Sequence, residues 1–148
     1  MSYVTEMREL VGRRPLLLAA AGVVVVDDGR WLLQRRVDDG LWGLIGGAVE
    51  LGESFEDAAR RELLEESGLT AESLRRLDVY SGPEFRLRYP NGDEAYVVGV
   101  TFLAERVTGT AAPDGEEGLE LGWFTPEQFP ALSGYNGLLT TRARLLLL

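Results

Sequence analysis

Between residues 46 and 69 lies a helix signal with a stop at each end. Ser54-Phe-Glu-Asp57 places a capping serine three residues ahead of an acid, and Gly68 supplies a natural C-terminal stop, so a helix is expected over 55–67. On it Glu62, Glu65 and Glu66 stand at i, i+3 and i+4, inside an arc of roughly 100°. Like charges at that spacing repel by roughly 0.2–0.5 kcal/mol per pair, and a cation held between them turns repulsion into binding. Glu53 precedes the helix and is placed to close such a cage from the loop side. Three glutamates on one helix face also describe an ordinary solvated surface, so the arc alone does not decide between the two.

The segments around this helix read as follows. Residues 3–11 suit a short helix ending at Gly12. Leu16–Val26 is a continuous apolar run and reads as a buried strand. Asp28-Gly29 is a hairpin turn signal, with Trp31–Arg35 returning from it. Leu41–Val49 carries three glycines and is expected as an irregular strand and loop. Two further strands are expected at Leu77–Tyr89 and Glu94–Glu105, joined through Asn91-Gly92. Pro113–Gly118 is an acidic loop, followed by a short strand at Leu119–Phe124. Thr125-Pro126-Glu127 resembles a helix start, and residues 136–148 suit a last helix. This order predicts an α/β (α+β) fold, a mixed β-sheet sandwiched between helices. The 148 residues fit one domain, 1–148, with 1–15 as an N-terminal extension.

Composition removes most alternative chemistries. The chain has no cysteine and no histidine, which excludes thiol nucleophiles, imidazole catalysis and zinc-thiolate sites. All 15 basic residues are arginine, so a phosphate loop that depends on lysine is absent too. Carboxylate, arginine, hydroxyl and backbone amide remain, and a metal held by these must favour hard oxygen ligands, as Mg2+, Mn2+ and Ca2+ do. The formal charge of -9 argues against nucleic acid duplexes and anionic membranes, yet admits a small polyphosphate if divalent cations bridge the two. No stretch reaches the roughly 18 apolar residues of a membrane span, and the polar start carries no secretory signal, so a cytoplasmic protein is expected.

The helix belongs to a longer pattern. Gly47, five residues, Glu53, seven residues, Arg61-Glu62-Leu63, one residue, Glu65-Glu66, one residue, Gly68-Leu69 resembles the 23-residue box of the Nudix hydrolases at every fixed position. The likeness extends over about residues 16–131, through Leu-Leu-Gln-Arg-Arg, Leu-Trp-Gly-Leu and Glu-Leu-Gly-Trp-Phe. Ile45 departs from it, standing where many members carry proline. The resemblance implies the Nudix fold, with residues 47–69 as the box, and hydrolysis of a phosphoanhydride bond in a nucleoside diphosphate derivative. It implies Glu62, Glu65 and Glu66 as ligands of Mg2+ or Mn2+, with Glu53 and Gly47 contributing to the metal site. Arg61 is implied to orient a box glutamate, an i, i+4 bridge to Glu65 being the plainer alternative.

A catalytic base comes, in this family, from the box or from a later loop, which here offers Glu116, Glu117 and Glu120. Glu117 sits where some relatives carry an extra metal-binding acid. Arg35 and Arg36 resemble a pair that contacts substrate phosphate. Trp42 is placed either to stack on a base or to pack, and Arg86 and Arg88 either to reach substrate or to stand in solvent. Asn136 resembles a purine-contacting asparagine of the oxidised-purine branch. Phe85, Arg86 and Leu87 stand where diadenosine-polyphosphate members carry tyrosine, and Pro83 is one position short of the proline of ADP-ribose members. The expected partner is a small-molecule nucleotide (triphosphate, sugar nucleotide or ADP-ribose type), with the protein a monomer or homodimer. The alternative is a domain that senses such a nucleotide without cutting it.

Overall fold

The structure, a computed structural model, describes residues 2–116 and 118–148, and only the backbone of Leu119. In chain order the elements are α1 (Tyr3–Val11), β1 (Leu16–Val24), β2 (Val26–Asp27), β3 (Arg30–Arg36), β4 (Trp42–Gly43), β5 (Ile45–Ala48), α2 (Phe55–Ser67), β6 (Thr70–Tyr80), β7 (Arg86–Arg88), β8 (Glu94–Thr108), β9 (Gly118–Phe124) and α3 (Asn136–Leu146). Single 3-10 turns occupy Pro83–Phe85 and Pro126–Gln128.

A mixed sheet runs in the order β5-β1-β8-β6, with β7 also on β8. Only β1 and β8 are parallel. A smaller antiparallel sheet joins β2, β3, β4 and β9, with β3 central. Because side chains alternate along a strand, β1 feeds two cores. Ala21 and Val23 point to one side, where they meet Ala58, Ala59 and Leu63 of α2. Leu18 and Val24 point to the other, with Leu139 and Ala143 of α3. Burial on both faces is why this strand reads as an unbroken apolar run. The helices therefore sandwich the mixed sheet as the sequence predicts.

The local signals acted as expected at most positions. Ser54 and Asp57 form a reciprocal capping box, and Gly68 closes α2 at φ 76° with its N–H on Leu64 O. Asp28 and Gly29 both take positive φ, 50° and 75°, the geometry of a two-residue hairpin turn. α1 ends at Gly12 and docks through Arg8, whose guanidinium reaches the carbonyls of Gly12, Arg14 and Glu94.

Two expectations are corrected. Residues 77–89 are not one strand, because Gly82 at φ 117° and Pro83 turn the chain into a 3-10 turn that separates β6 from β7. β6 instead begins at Thr70, directly after the helix stop. Thr125-Pro126 starts only a single 3-10 turn, with no side-chain cap on it. No helix among the described residues is long and apolar enough to cross a membrane.

Candidate active site

Strand β5 lies between β1 and α2, and its two glycines permit that closeness. A Cβ at Gly46 would fall 2.8 Å from Gly22 Cα on β1, and one at Gly47 would fall 2.7 Å from Glu62 Oε1 on the helix. Gly46 also takes φ 156°, which side-chain-bearing residues rarely adopt. Ile45, in place of a proline, is fully buried in the core beside α2 and pairs with Val23.

Arg61 is the hub of the carboxylates. Its Nε and Nη2 donate to the two oxygens of Glu53 at 2.7 and 2.9 Å, a fork-on-fork pair. Nη1 donates to Glu62 Oε1 at 2.7 Å and, at 3.3 Å, to Glu65 Oε2. Nη2 also caps the carbonyl of Ala48 at 3.1 Å. The i, i+4 bridge to Glu65 thus exists, and it is the longest of the five. The guanidinium holds the Glu53 carboxyl below the usual carboxylate range, and those acids in turn raise Arg61 above its own.

The three glutamates of the arc are not equivalent. Glu62 and Glu66 are buried, whereas the Glu65 side chain is 58% exposed at the rim. Glu66 Oε1 accepts from Gly46 N at 2.9 Å, and Oε2 accepts from Gln34 Nε2 at 2.5 Å. Burial, and next the charge of Glu62, push the Glu66 carboxyl up to about 9, against the pull of the Gln34 and Gly46 bonds.

Among the described residues no three acidic side chains stand close enough together to hold a metal ion between them. The reason is visible in the bonding: Glu53 and Glu65 are turned onto Arg61, and Glu66 onto Gln34 and Gly46. The donor chemistry nonetheless fits a hard divalent cation, since every available side-chain ligand is a carboxylate oxygen. Glu62 and Glu66 are also buried neighbours, and burial, with the charge of Glu62 next, raises the proton affinity of Glu66.

A cleft of about 500 Å³ opens beside β5, with Gly46, Gly47, Arg36, Tyr89, Tyr135 and Asn136 among its walls. Arg36 faces it, half-buried and bonded through Nε and Nη2 to Asp38. Arg35 does not: it pairs at 2.6 Å with Glu120 across β3 and β9, and neither residue lines the cleft. Glu116 lines the cleft, and Arg88 stands at its wall while sharing Glu94 with Arg86. Glu117 lies outside the described residues. Trp42 packs edge-on against Phe124 at 5.0 Å, as a core residue does. The Asn136 amide is used internally: Oδ1 accepts from Leu44 N at 2.9 Å and Nδ2 donates to Ser133 O at 2.8 Å.

Sequence reading missed Gln34, 1% exposed and the direct partner of Glu66. Its signal was available: a lone amide following Trp31, Leu32 and Leu33 in a strand otherwise buried at those positions. It also missed Tyr80 and Tyr135, whose rings lie 5.9 Å apart with Phe85 between them in contact. Tyrosines 55 positions apart in the chain carry no local pattern that joins them.

The fold and the relatives define a hydrolase of the MutT-like class. A solved MutT NUDIX hydrolase from Burkholderia pseudomallei superposes with a TM-score of 0.72 at 29% identity, covering 85% of this chain and 97% of that one. An ADP-ribose pyrophosphatase of Methanocaldococcus jannaschii is 32% identical over 135 residues, 88% of this chain and 76% of that protein. An oxidized purine nucleoside triphosphate hydrolase of Danio rerio is 36% identical over 111 residues, 73% of this chain and 66% of that protein. The family model described as the NUDIX domain matches residues 16–143, and the chain belongs to this family as a Nudix hydrolase.

Proposed function

We propose that the protein hydrolyses a phosphoanhydride bond in a nucleoside diphosphate derivative, by attack of water on phosphorus, with Mg2+ or Mn2+ bound. The observation that carries this reading is the pair of buried carboxylates, Glu62 and Glu66, set behind the Gly46-Gly47 strand that walls a nucleotide-sized cleft. Glu62, Glu65 and Glu66, with Glu53 and the Gly47 backbone, would hold the ion. When bound it neutralises phosphate charge, lowers the pKa of water and stabilises the leaving oxygen.

The chain's own residues do the rest. Arg61 fixes Glu53 and Glu62 in one orientation through a rigid fork that lysine does not provide. Arg36, at the cleft wall, offers a guanidinium to a phosphate oxygen and releases Asp38 to do so. Arg35, as second phosphate contact, would have to leave Glu120. A carboxylate takes the proton of the attacking water, and Glu117 is the proposed base, with the box acids as the other source. The apolar part of the substrate lies along the face formed by Tyr89, Tyr135 and Leu139.

The test is a panel of nucleoside diphosphates, triphosphates, sugar nucleotides and ADP-ribose, each incubated with Mg2+, Mn2+ or excess chelator. Paired products of phosphoanhydride cleavage, formed only with metal, support the reading. Binding of a nucleotide without any turnover across the panel would replace it with a sensing role.

A further inference from the structure

Among the described residues Gln34 is the one buried side-chain amide that touches the acidic centre. It lies on β3, two residues before Arg36, and is 1% exposed. Its Nε2 donates to Glu66 Oε2 at 2.5 Å. Its Oε1 is equally buried and accepts a hydrogen bond from no described residue. β9 runs alongside, and Gly118 faces that oxygen so closely that a Cβ there would fall 2.7 Å from it.

An amide with one end bonded and the other empty is an uneconomical way to fill a core position. Leu32 and Leu33, the two residues before it, fill theirs with apolar side chains. A buried acceptor with no donor opposes folding, so the retained benefit has to lie at the bonded end. That end holds Glu66 Oε2 while Gly46 N holds Oε1, so each oxygen of the carboxylate is fixed by an amide.

We propose that Gln34 is a positioning residue for Glu66, held in the core at a cost in stability so that this carboxylate faces its cation in one orientation. Gly118 belongs to the same device, because its missing side chain leaves Gln34 the room to reach Glu66. The inference rests on the reading of Glu66 as a metal ligand. Partners that orient ligating carboxylates are typically worth about 10–100-fold in metal affinity or activity.

Two variants approach the contact from opposite sides. Gln34→Met keeps length and volume and removes both polar ends. Gly118→Ala keeps the glutamine and pushes on its oxygen; Gly118 does not have a positive φ, so alanine suits its backbone. Mn2+ binding is titrated by electron paramagnetic resonance without substrate, melting is followed in chelator, and kcat and KM are measured separately. Expected for Gln34→Met are Mn2+ binding weakened about tenfold or more, kcat lowered by a similar factor with KM within about threefold, and a melting temperature in chelator equal to or above that of the wild type. Gly118→Ala should weaken Mn2+ binding in the same direction.

A lowered melting temperature with Mn2+ affinity and kcat within twofold of the wild type in either folded variant would show a packing role and overturn the proposal. If Gln34→Met does not fold, Gly118→Ala alone decides. The wild-type titration separates the two levels of argument: a wild type that binds no Mn2+ refutes the metal reading itself and the proposal with it, whereas a binding wild type with indifferent variants refutes only the role of Gln34.

Discussion

Replacing Glu66 with glutamine should make the metal-free protein more stable while removing most of its activity. In the wild type without cation, burial and the neighbouring Glu62 push the Glu66 carboxyl up to about 9. A folded-state value raised above the ordinary 4.5 contributes stability that is intact below about 4.5 and is lost progressively as pH rises through about 9. Any folded value above 7 gives the same loss at pH 7: two and a half pH units at about 1.4 kcal/mol each, or roughly 3 kcal/mol as a ceiling. Relaxation and water entry reduce this, so about 1–3 kcal/mol is expected. Glu66→Gln has no such titration and keeps the bond from Gly46 N. Its new amide nitrogen meets Gln34 Nε2, and a swing of Gln34 presents the empty Oε1 as acceptor. Urea melts in chelator at pH 5, 7 and 9 should therefore show a stability advantage that grows with pH. Added Mn2+ should stabilise the wild type and not the variant, and turnover should fall by orders of magnitude. Glu65→Gln, at the exposed rim, should lose turnover with little change in stability. Glu56→Gln, at a side chain that pairs with Arg60 in an exposed i, i+4 bridge, should leave turnover nearly unchanged. If Glu66→Gln is less stable than the wild type in chelator at pH 7 and above, the burial argument fails.

Arg61→Lys should destabilise the fold by about 1–2 kcal/mol and reduce turnover by about 10–100-fold, since an ammonium cannot hold both Glu53 oxygens together with Glu62; denaturant melts and steady-state kinetics would show it, and turnover within twofold of the wild type would contradict it. Asn136→Ala should cost about 1–2 kcal/mol by stranding Leu44 N and Ser133 O, with no change in the ranking of purine over pyrimidine substrates; a reordered substrate panel would restore a base-reading role to this residue. Zn2+ should support turnover less well than Mg2+ or Mn2+, given a donor set without nitrogen or sulfur; metal-substitution kinetics measure this, and a higher rate with Zn2+ would contradict it.

Much of the fold was legible because its signals are local. The capping box at Ser54–Asp57, the Gly68 stop, the Asp28-Gly29 turn and the doubly buried β1 each declare themselves within a few residues. The strand at Thr70–Arg76 was missed because its residues alternate weakly and stand mostly half-buried or exposed, paired along β8 by backbone rather than by an apolar face. At the site, spacing placed Glu62, Glu65 and Glu66 on one arc. It could not tell which of them turn inward, since that depends on where β5 lies across the helix. Arg35 and Arg36 look equivalent as neighbours, yet alternation on β3 sends one to Glu120 and the other to the cleft. The Gln34–Glu66 bond joins residues 32 positions apart and needed the fold to bring it into view.

Attack of water on phosphorus is tested by hydrolysis of an accepted nucleotide substrate in water enriched in heavy oxygen, run with Mg2+ or Mn2+ and again in excess chelator, with mass spectrometry of both products. One heavy oxygen is expected on a phosphate of one product when metal is present, and no products in chelator. Label on a sugar carbon, or full turnover in chelator, would contradict it.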